Sequence, residues 1–365
     1  MFLFFIIKNL LSCIKHHKSF QKSFAYMAYR SYSSYKMPDR KKMLTVLKDC
    51  EHLSRYWRVF PDMYFKMGMF STCWSDMHQM ETYIPQDAFT RFENKHKSKY
   101  NILIDDKIIF HDLMNYYHLP VPKVFFIYKN KKFYIDNIPV CDKSIDKVIS
   151  EVVEDRIFVK RYTGGEASGV FVFKKKGDVF YDGDNPVSAR YIREKYQDEK
   201  FFFEQKINQS ILTKKFNPDS VNTIRVLATS HNGTIKLLSA TARFGRKGSF
   251  IDNAACGGVS VAIDLETGTF ADYGVLMYSP KKYYEHPDSS VKFSGNVIDC
   301  WDKVLEVANR TLELFPPYCT VGFDIAITET GPLVVELNTG PGMFLSQAGR
   351  THGLAQLYNN IIIHK

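Results

Sequence analysis

The most constraining stretch of this chain is residues 321–338, VGFDIAITETGPLVVELN. In its first half Val321, Phe323, Ile325 and Ile327 alternate with Gly322, Asp324, Ala326 and Thr328. A period of two marks a strand with one apolar face, so Asp324 is expected opposite the apolar row. Glu329-Thr330-Gly331-Pro332 supplies turn chemistry, because Gly accepts positive φ and Pro cannot extend a ladder. The second strand is expected to carry Glu336 and Asn338 on one face and Val335 and Leu337 on the other. Centring the hairpin near Thr330 sets Asp324 across from Glu336, with Cβ atoms roughly 5 Å apart. Two carboxylates at that spacing repel unless positive charge lies between them. One solution is a hard cation such as Mg²⁺, shared with nucleotide phosphates and bound by Asp324, Glu336 and Asn338. The other is a hairpin with three solvated polar residues.

The rest of the chain sets limits on partners. The net charge of +10 is unevenly spread. Residues 1–48 hold ten Lys or Arg and one acid, Asp39, while the remainder has 39 basic against 38 acidic residues. The body is therefore close to neutral, and the excess is no argument for a nucleic-acid groove. The seven cysteines are scattered, odd in number and free of CxxC pairs, which fits reduced thiols. The opening MFLFFIIKNLLSCIKHHKSF is too short an apolar run to span a bilayer and lacks a signal peptide's basic start. Residues 1–36 read as a basic tail, disordered or membrane-proximal, with Met37 or Met43 as alternative first residues.

Residues 37–100 read as a helical region in which Leu44, Leu47, Leu53, Tyr56 and Trp57 form an apolar stripe. Asp105 or Asp106 can cap a helix over 106–114, ended by His118-Leu119-Pro120. Strands follow at 124–128 and 156–173, the latter interrupted by the Gly-rich TGGEASG. That loop joins strand to strand and lacks the spacing of a GxxxxGK[ST] phosphate loop, although its backbone N–H groups can still cover phosphates. Lys160 lies on the strand that enters it. FFFEQKI, 201–207, reads as a strand running into a hinge. Arg225 and Arg243 sit on later strands, residues 301–314 form an amphipathic helix, and a last helix runs from about residue 342.

Taken in order, these pieces resemble the ATP-grasp superfamily. NPDSVNTIRV, RFGRKGSFIDNAACGGV, AIDLETG, the His286-Pro287-Asp288 loop and VGFDIAITETGPLVVELN resemble, more narrowly, the sugar-transfer associated ATP-grasp family. The resemblance runs from about residue 98 to 345. Ser289-Ser290 stands where that family usually has Thr-Gly, and Phe323 where Trp is common. The resemblance implies an α+β fold in which two lobes with antiparallel sheets clasp ATP, the lobes being 101–205 and 206–365. It implies that Lys107 and Lys160 contact phosphate, and that Gly164, Gly165 and Gly169 belong to a loop closing on the triphosphate. Glu204, Gln205, Lys206 and Ile207 match the adenine hinge, and Asp324, Glu336 and Asn338 the Mg²⁺ ligands, with Mn²⁺ as a substitute. Arg225 matches a residue facing the transferred phosphoryl group. Arg243, Asp252 and Asn253 are candidates on the substrate side.

The chemistry implied is ATP-dependent ligation. A carboxylate is phosphorylated to an acyl phosphate, which an amine or thiol then attacks, in cell-surface polysaccharide biosynthesis or modification. The partners are a small or saccharide-linked carboxylate and an amine donor, in the cytoplasm or at the inner membrane face through residues 1–36, with no nucleic acid. Two alternatives compete: a kinase that phosphorylates a hydroxyl, and a non-catalytic membrane-surface scaffold with a relic nucleotide site.

Overall fold

The computed structural model describes residues 24–96, 101–162, 170–197, 199–231, 233–249, 252–315 and 318–362. Its frame is two antiparallel sheets. The first comprises β1 (Val124–Lys129), β2 (Lys132–Ile135), β3 (Ile138–Val140), β4 (Arg156–Arg161), β5 (Val170–Lys176), β6 (Val179–Asp182), β7 (Asn185–Pro186) and β8 (Phe201–Gln205). Their order is β3-β2-β1-β8-β4-β5-β6-β7. The inward residues of these strands, among them Phe126, Phe133, Ile157, Phe173 and Phe203, bury against the helices Asp142–Glu151 and Ala189–Tyr196. Those helices contribute Ile145, Ile149, Ile192 and Tyr196 at helical spacing.

The second sheet comprises β9 (Thr223–His231), β10 (Thr234–Phe244), β11 (Val259–Ile263), β12 (Phe270–Val275), β13 (Lys282–Tyr283), β14 (Tyr318–Thr328) and β15 (Gly331–Thr339), ordered β13-β12-β11-β10-β9-β14-β15. One face buries Ile224, Val226, Ala242, Phe323 and Ile325 against Val304, Ala308 and Leu312 of the helix Trp301–Glu313. The other face holds Leu227, which clusters with Met63, Phe70, Tyr83 and Phe89 of the N-terminal helices and with Phe344. One face of the sheet is thus an apolar row in the first core, while the other adds only single residues such as Leu227 and Leu238 to the second.

Four expectations need correction. The basic tail is shorter than 1–36. Residues 1–23 lie outside the described part, but Phe24–Ser34 is a helix whose Ala28 and Tyr32 are buried. Tyr32 stands edge-on to Phe70 and donates its hydroxyl to the Lys41 carbonyl at 3.0 Å. On the helix Met43–Trp57 the stripe is also different. Val46, Asp49, Cys50 and Leu53 face inward, whereas Leu44, Leu47 and Tyr56 are exposed. Asp49 hid the true stripe, because it is buried by accepting from Lys41 Nζ at 2.8 Å and the Tyr64 hydroxyl at 3.0 Å.

The lobe boundary at residue 101 shifts as well. Ile104, Phe110, Met114 and Leu119 pack in the core of the second sheet, and Val334 N donates to Pro120 O at 2.9 Å. Of that segment, Ile108 turns toward Ile127 and Phe202 of the first sheet, and Asp112 accepts from Asn137 Nδ2 at 2.9 Å. Finally, the single last helix is two short ones, Met343–Gln347 and Ala355–Ile362. Gly349, at φ +71° and close against Ala262, lies in the break between them.

Candidate active site

The site is built around β14 and β15. The two strands pair from Thr328↔Gly331 through Ile325↔Val334, then shift register, so that Asp324 faces Glu336 and Phe323 faces Leu337. Val335 is the extra residue, a β-bulge. The bulge is what sets the two carboxylates opposite each other. It also moves Val335, expected beside Leu337 in the core, to line the cleft with Glu336 while Leu337 stays buried.

The positive charge that offsets Asp324 comes from β9 and β10. Arg225 lies opposite Asp324 across β9 and β14. It grips that carboxylate with two parallel bonds, Nε to Oδ1 at 2.6 Å and Nη2 to Oδ2 at 3.0 Å. Arg243 adds Nη1 to Asp324 Oδ1 at 2.8 Å and Nη2 to Asp252 Oδ1 at 2.7 Å. Asp252 Oδ2 in turn accepts from Thr223, from its N at 2.8 Å and its hydroxyl at 2.5 Å. All four charged residues are only 7 or 8% exposed, so the charges are desolvated and depend on one another.

Burial alone would push the Asp324 carboxyl up, but Arg225 and Arg243 outweigh it and hold Asp324 well below the ordinary carboxylate value. Burial dominates at Asp252, which sits above that value even with Arg243 beside it. Gly322 makes the close packing feasible: a Cβ there would lie 2.9 Å from Pro341 Cβ and 3.1 Å from Arg225 Cδ.

In front of this network a cleft opens between the two sheets. Lys107, Lys160, Glu204 and Glu336 line it, together with His111 and Phe202. Lys107 opens the helix Lys107–Tyr116, whose N-cap Asp106 accepts from Ile108 N at 3.0 Å and Ile109 N at 3.1 Å. Its Nζ lies 3.2 Å from Glu336 Oε1. The preceding residue pair is tied to the hairpin too, since Thr339 donates its hydroxyl to Asp105. From the other lobe, Lys160 on β4 donates to Glu204 Oε1 on β8 at 2.8 Å.

The structure therefore brings together Lys107, Lys160, Glu204 and Glu336 in the cleft, and Arg225, Arg243, Asp252, Asp324 and Asn338 behind it. Asn338 Nδ2 reaches Asp324 Oδ2 and Gly322 O only at 3.5 Å. Four other candidates fall elsewhere or stay at the crossing. Asn253 caps its own turn, with Oδ1 accepting from Ala255 N at 2.9 Å. Lys206 pairs with Asp155 at 2.7 Å on the surface. Gln205 N bonds to Lys123 O at 2.9 Å, and Ile207 is buried where the chain passes between lobes. Gly164, Gly165 and Gly169 lie outside the described residues. Thr223 and His111 were not singled out in the sequence, and Asp105 only as a candidate helix cap. Thr223 precedes Arg225 by two on one strand face, the one local signal that could have found it.

Asp324, Glu336 and Asn338 offer hard oxygens on adjacent strands, which suits a small divalent cation. Among the described residues no three His, Cys, Asp or Glu side chains gather as a metal cage. Arg225 and Arg243 occupy both Asp324 oxygens and Asn338 turns Nδ2 toward Asp324, so a cation held here would take much of its shell from phosphate.

The chain matches the family described as sugar-transfer associated ATP-grasp over residues 86–362. No curated protein sequence matches it significantly. Among solved structures, D-alanyl-alanine synthetase A from Vibrio cholerae is similar at 14% identity and TM-score 0.42, covering 72% of this chain and 66% of that one. The ADP complex of an N5-carboxyaminoimidazole ribonucleotide synthetase matches at 12% and 0.41, covering 72% and 52%. D-alanine-D-alanine ligase from Coxiella burnetii matches at 11% and 0.39, covering 71% and 53%. The chain spans about half the length of the first structures it matches.

Proposed function

Because the chain belongs to the sugar-transfer associated ATP-grasp family, we propose that it is an ATP-dependent ligase joining a carboxylate to an amine. The observation that carries this reading is the cleft in which two lysines from different lobes meet the Asp324–Glu336 hairpin. Lys107 and Lys160 bind the phosphates, exchanging Glu336 and Glu204 for phosphate oxygens. Glu204 and the crossing at residues 205–207 receive the base. Mg²⁺, carried by the nucleotide and met by Asp324, Glu336 and Asn338, would offset charge on the phosphoryl group in transfer.

The γ-phosphoryl passes from ATP to the acceptor carboxylate, and ADP leaves. The amine then forms the C–N bond at the carbonyl carbon, loses a proton and expels phosphate. Arg225 and Arg243, already oriented by Asp324 and Asp252 behind the cleft, would offset the negative charge that develops with little reorganisation. The family's description, sugar-transfer associated, supports a saccharide-borne acceptor in polysaccharide modification. No helix among the described residues is long and apolar enough to cross a membrane.

Melting curves with ADP and Mg²⁺ test the site. At about 100 times Kd the nucleotide should stabilise wild type by roughly 2.7 kcal/mol, with little shift for Lys160→Ala or Glu336→Ala. An unshifted wild type at millimolar nucleotide overturns the reading. Stable phosphorylated product formed without any amine would identify a kinase instead.

A further inference from the structure

The same face of the second sheet that carries Arg225 and Arg243 continues to β12, four strands from β14 and roughly 19 Å away at ordinary strand spacing. There the N-terminal helical layer closes over the sheet around a pocket of ≈ 180 Å³. Trp74, Tyr273 and Phe344 supply aromatic walls, and Lys66, Lys282 and Arg350 supply cations. No residue lining it is Asp or Glu. Lys66 is neutralised by Asp62 at 2.7 Å. Among the described residues, Lys282 and Arg350 have no such carboxylate. Lys282 Nζ lies 4.2 Å from the centre of the Tyr273 ring. Burial depresses the Arg350 guanidinium, and the more distant Asp264 and Tyr83 offset this only in part.

The walls are joined across the pocket. Gly68, at φ +67°, packs so closely on Pro280 that a Cβ would lie 2.4 Å from its nitrogen. Tyr278 N donates to Lys66 O at 2.8 Å, and Gln79 Nε2 to Thr351 O at 2.7 Å. A shaped cavity with flat apolar walls, a partly buried guanidinium that no carboxylate contacts and a lysine at its rim favours an anionic occupant.

We propose that this pocket is a second binding site, separate from the nucleotide cleft, for a small anion carried on a ring: a sugar bearing a carboxylate or a phosphate. Arg350 and Lys282 hold the anionic group, and Trp74 and Tyr273 flank the ring.

Calorimetric titration of the full chain tests this with D-glucuronate and glucose 6-phosphate, against neutral glucose and inorganic phosphate. At least one sugar anion should bind saturably, more tightly than either control, with ADP at saturation making no difference. Arg350→Gln and Lys282→Gln should each weaken it roughly tenfold or more, as loss of a charge-assisted hydrogen bond does. Lys282→Gln changes an exposed strand residue and keeps the test valid if Arg350→Gln does not fold. The proposal fails if neither sugar anion saturates by about 10 mM. It fails equally if glucose or phosphate binds as tightly, if ADP displaces the ligand, or if folded variants bind like wild type.

Discussion

Asp324 is the residue on which the most other groups depend. Three hydrogen bonds from two buried guanidiniums end on its carboxylate. Asp324→Asn removes the charge and leaves both arginines undercompensated, which should cost about 3–5 kcal/mol in denaturant unfolding. Its folded-state pKa is depressed, so the unfolded chain binds more protons in acid. The stability it supplies is present above the ordinary carboxylate value and is lost as pH falls below that value toward the folded one. That acid-limb loss should shrink in Asp324→Asn. Ser290 makes a prediction of the opposite sign. It sits at φ +57° while its N bonds to His286 O at 2.8 Å. The loop thus keeps a backbone conformation that suits the glycine usual in the family. Ser290→Gly should raise unfolding stability by roughly 0.5–1 kcal/mol, and a lower value would mean that the serine side chain compensates.

Among the elements, the N-terminal helix Phe24–Ser34 changes how the chain can be trimmed. Deleting residues 1–36 removes Tyr32 from the core, so loss of activity in that variant would report unfolding rather than a membrane role. Tyr32→Ala in the full chain should cost about 3 kcal/mol, read as a fall in denaturation midpoint. The motif hairpin was legible because its turn, alternation and Asp324–Glu336 pairing are local. The bulge at Val335 was not, since a second run of apolar residues reads equally well as strict alternation. Arg225 and Arg243 could be named from motif stretches, but their grip on Asp324 depends on β9 lying between β10 and β14, a long-range register. The packing of residues 101–120 on the second lobe was illegible for the same reason. Leu44 and Leu47 misled because hydrophobicity alone does not say which face of a helix is covered.

On the scale of the whole molecule, the cleft is a meeting of lobes joined by the crossing after β8. Each lobe brings its own lysine together with a carboxylate to hold it. Lys107, Lys160, Arg225 and Arg243 are matched by Glu336, Glu204, Asp324 and Asp252, four cations to four anions. A groove charged in this way projects almost no field into solution. An incoming nucleotide is then not drawn in from a distance, and encounter is governed by diffusion and orientation alone. Its association rate, followed by stopped flow, should therefore change little between low and physiological ionic strength, where an unbalanced basic groove would slow steeply. Selectivity for the right anion has to arise after contact, in the exchange of one counter-charge for another.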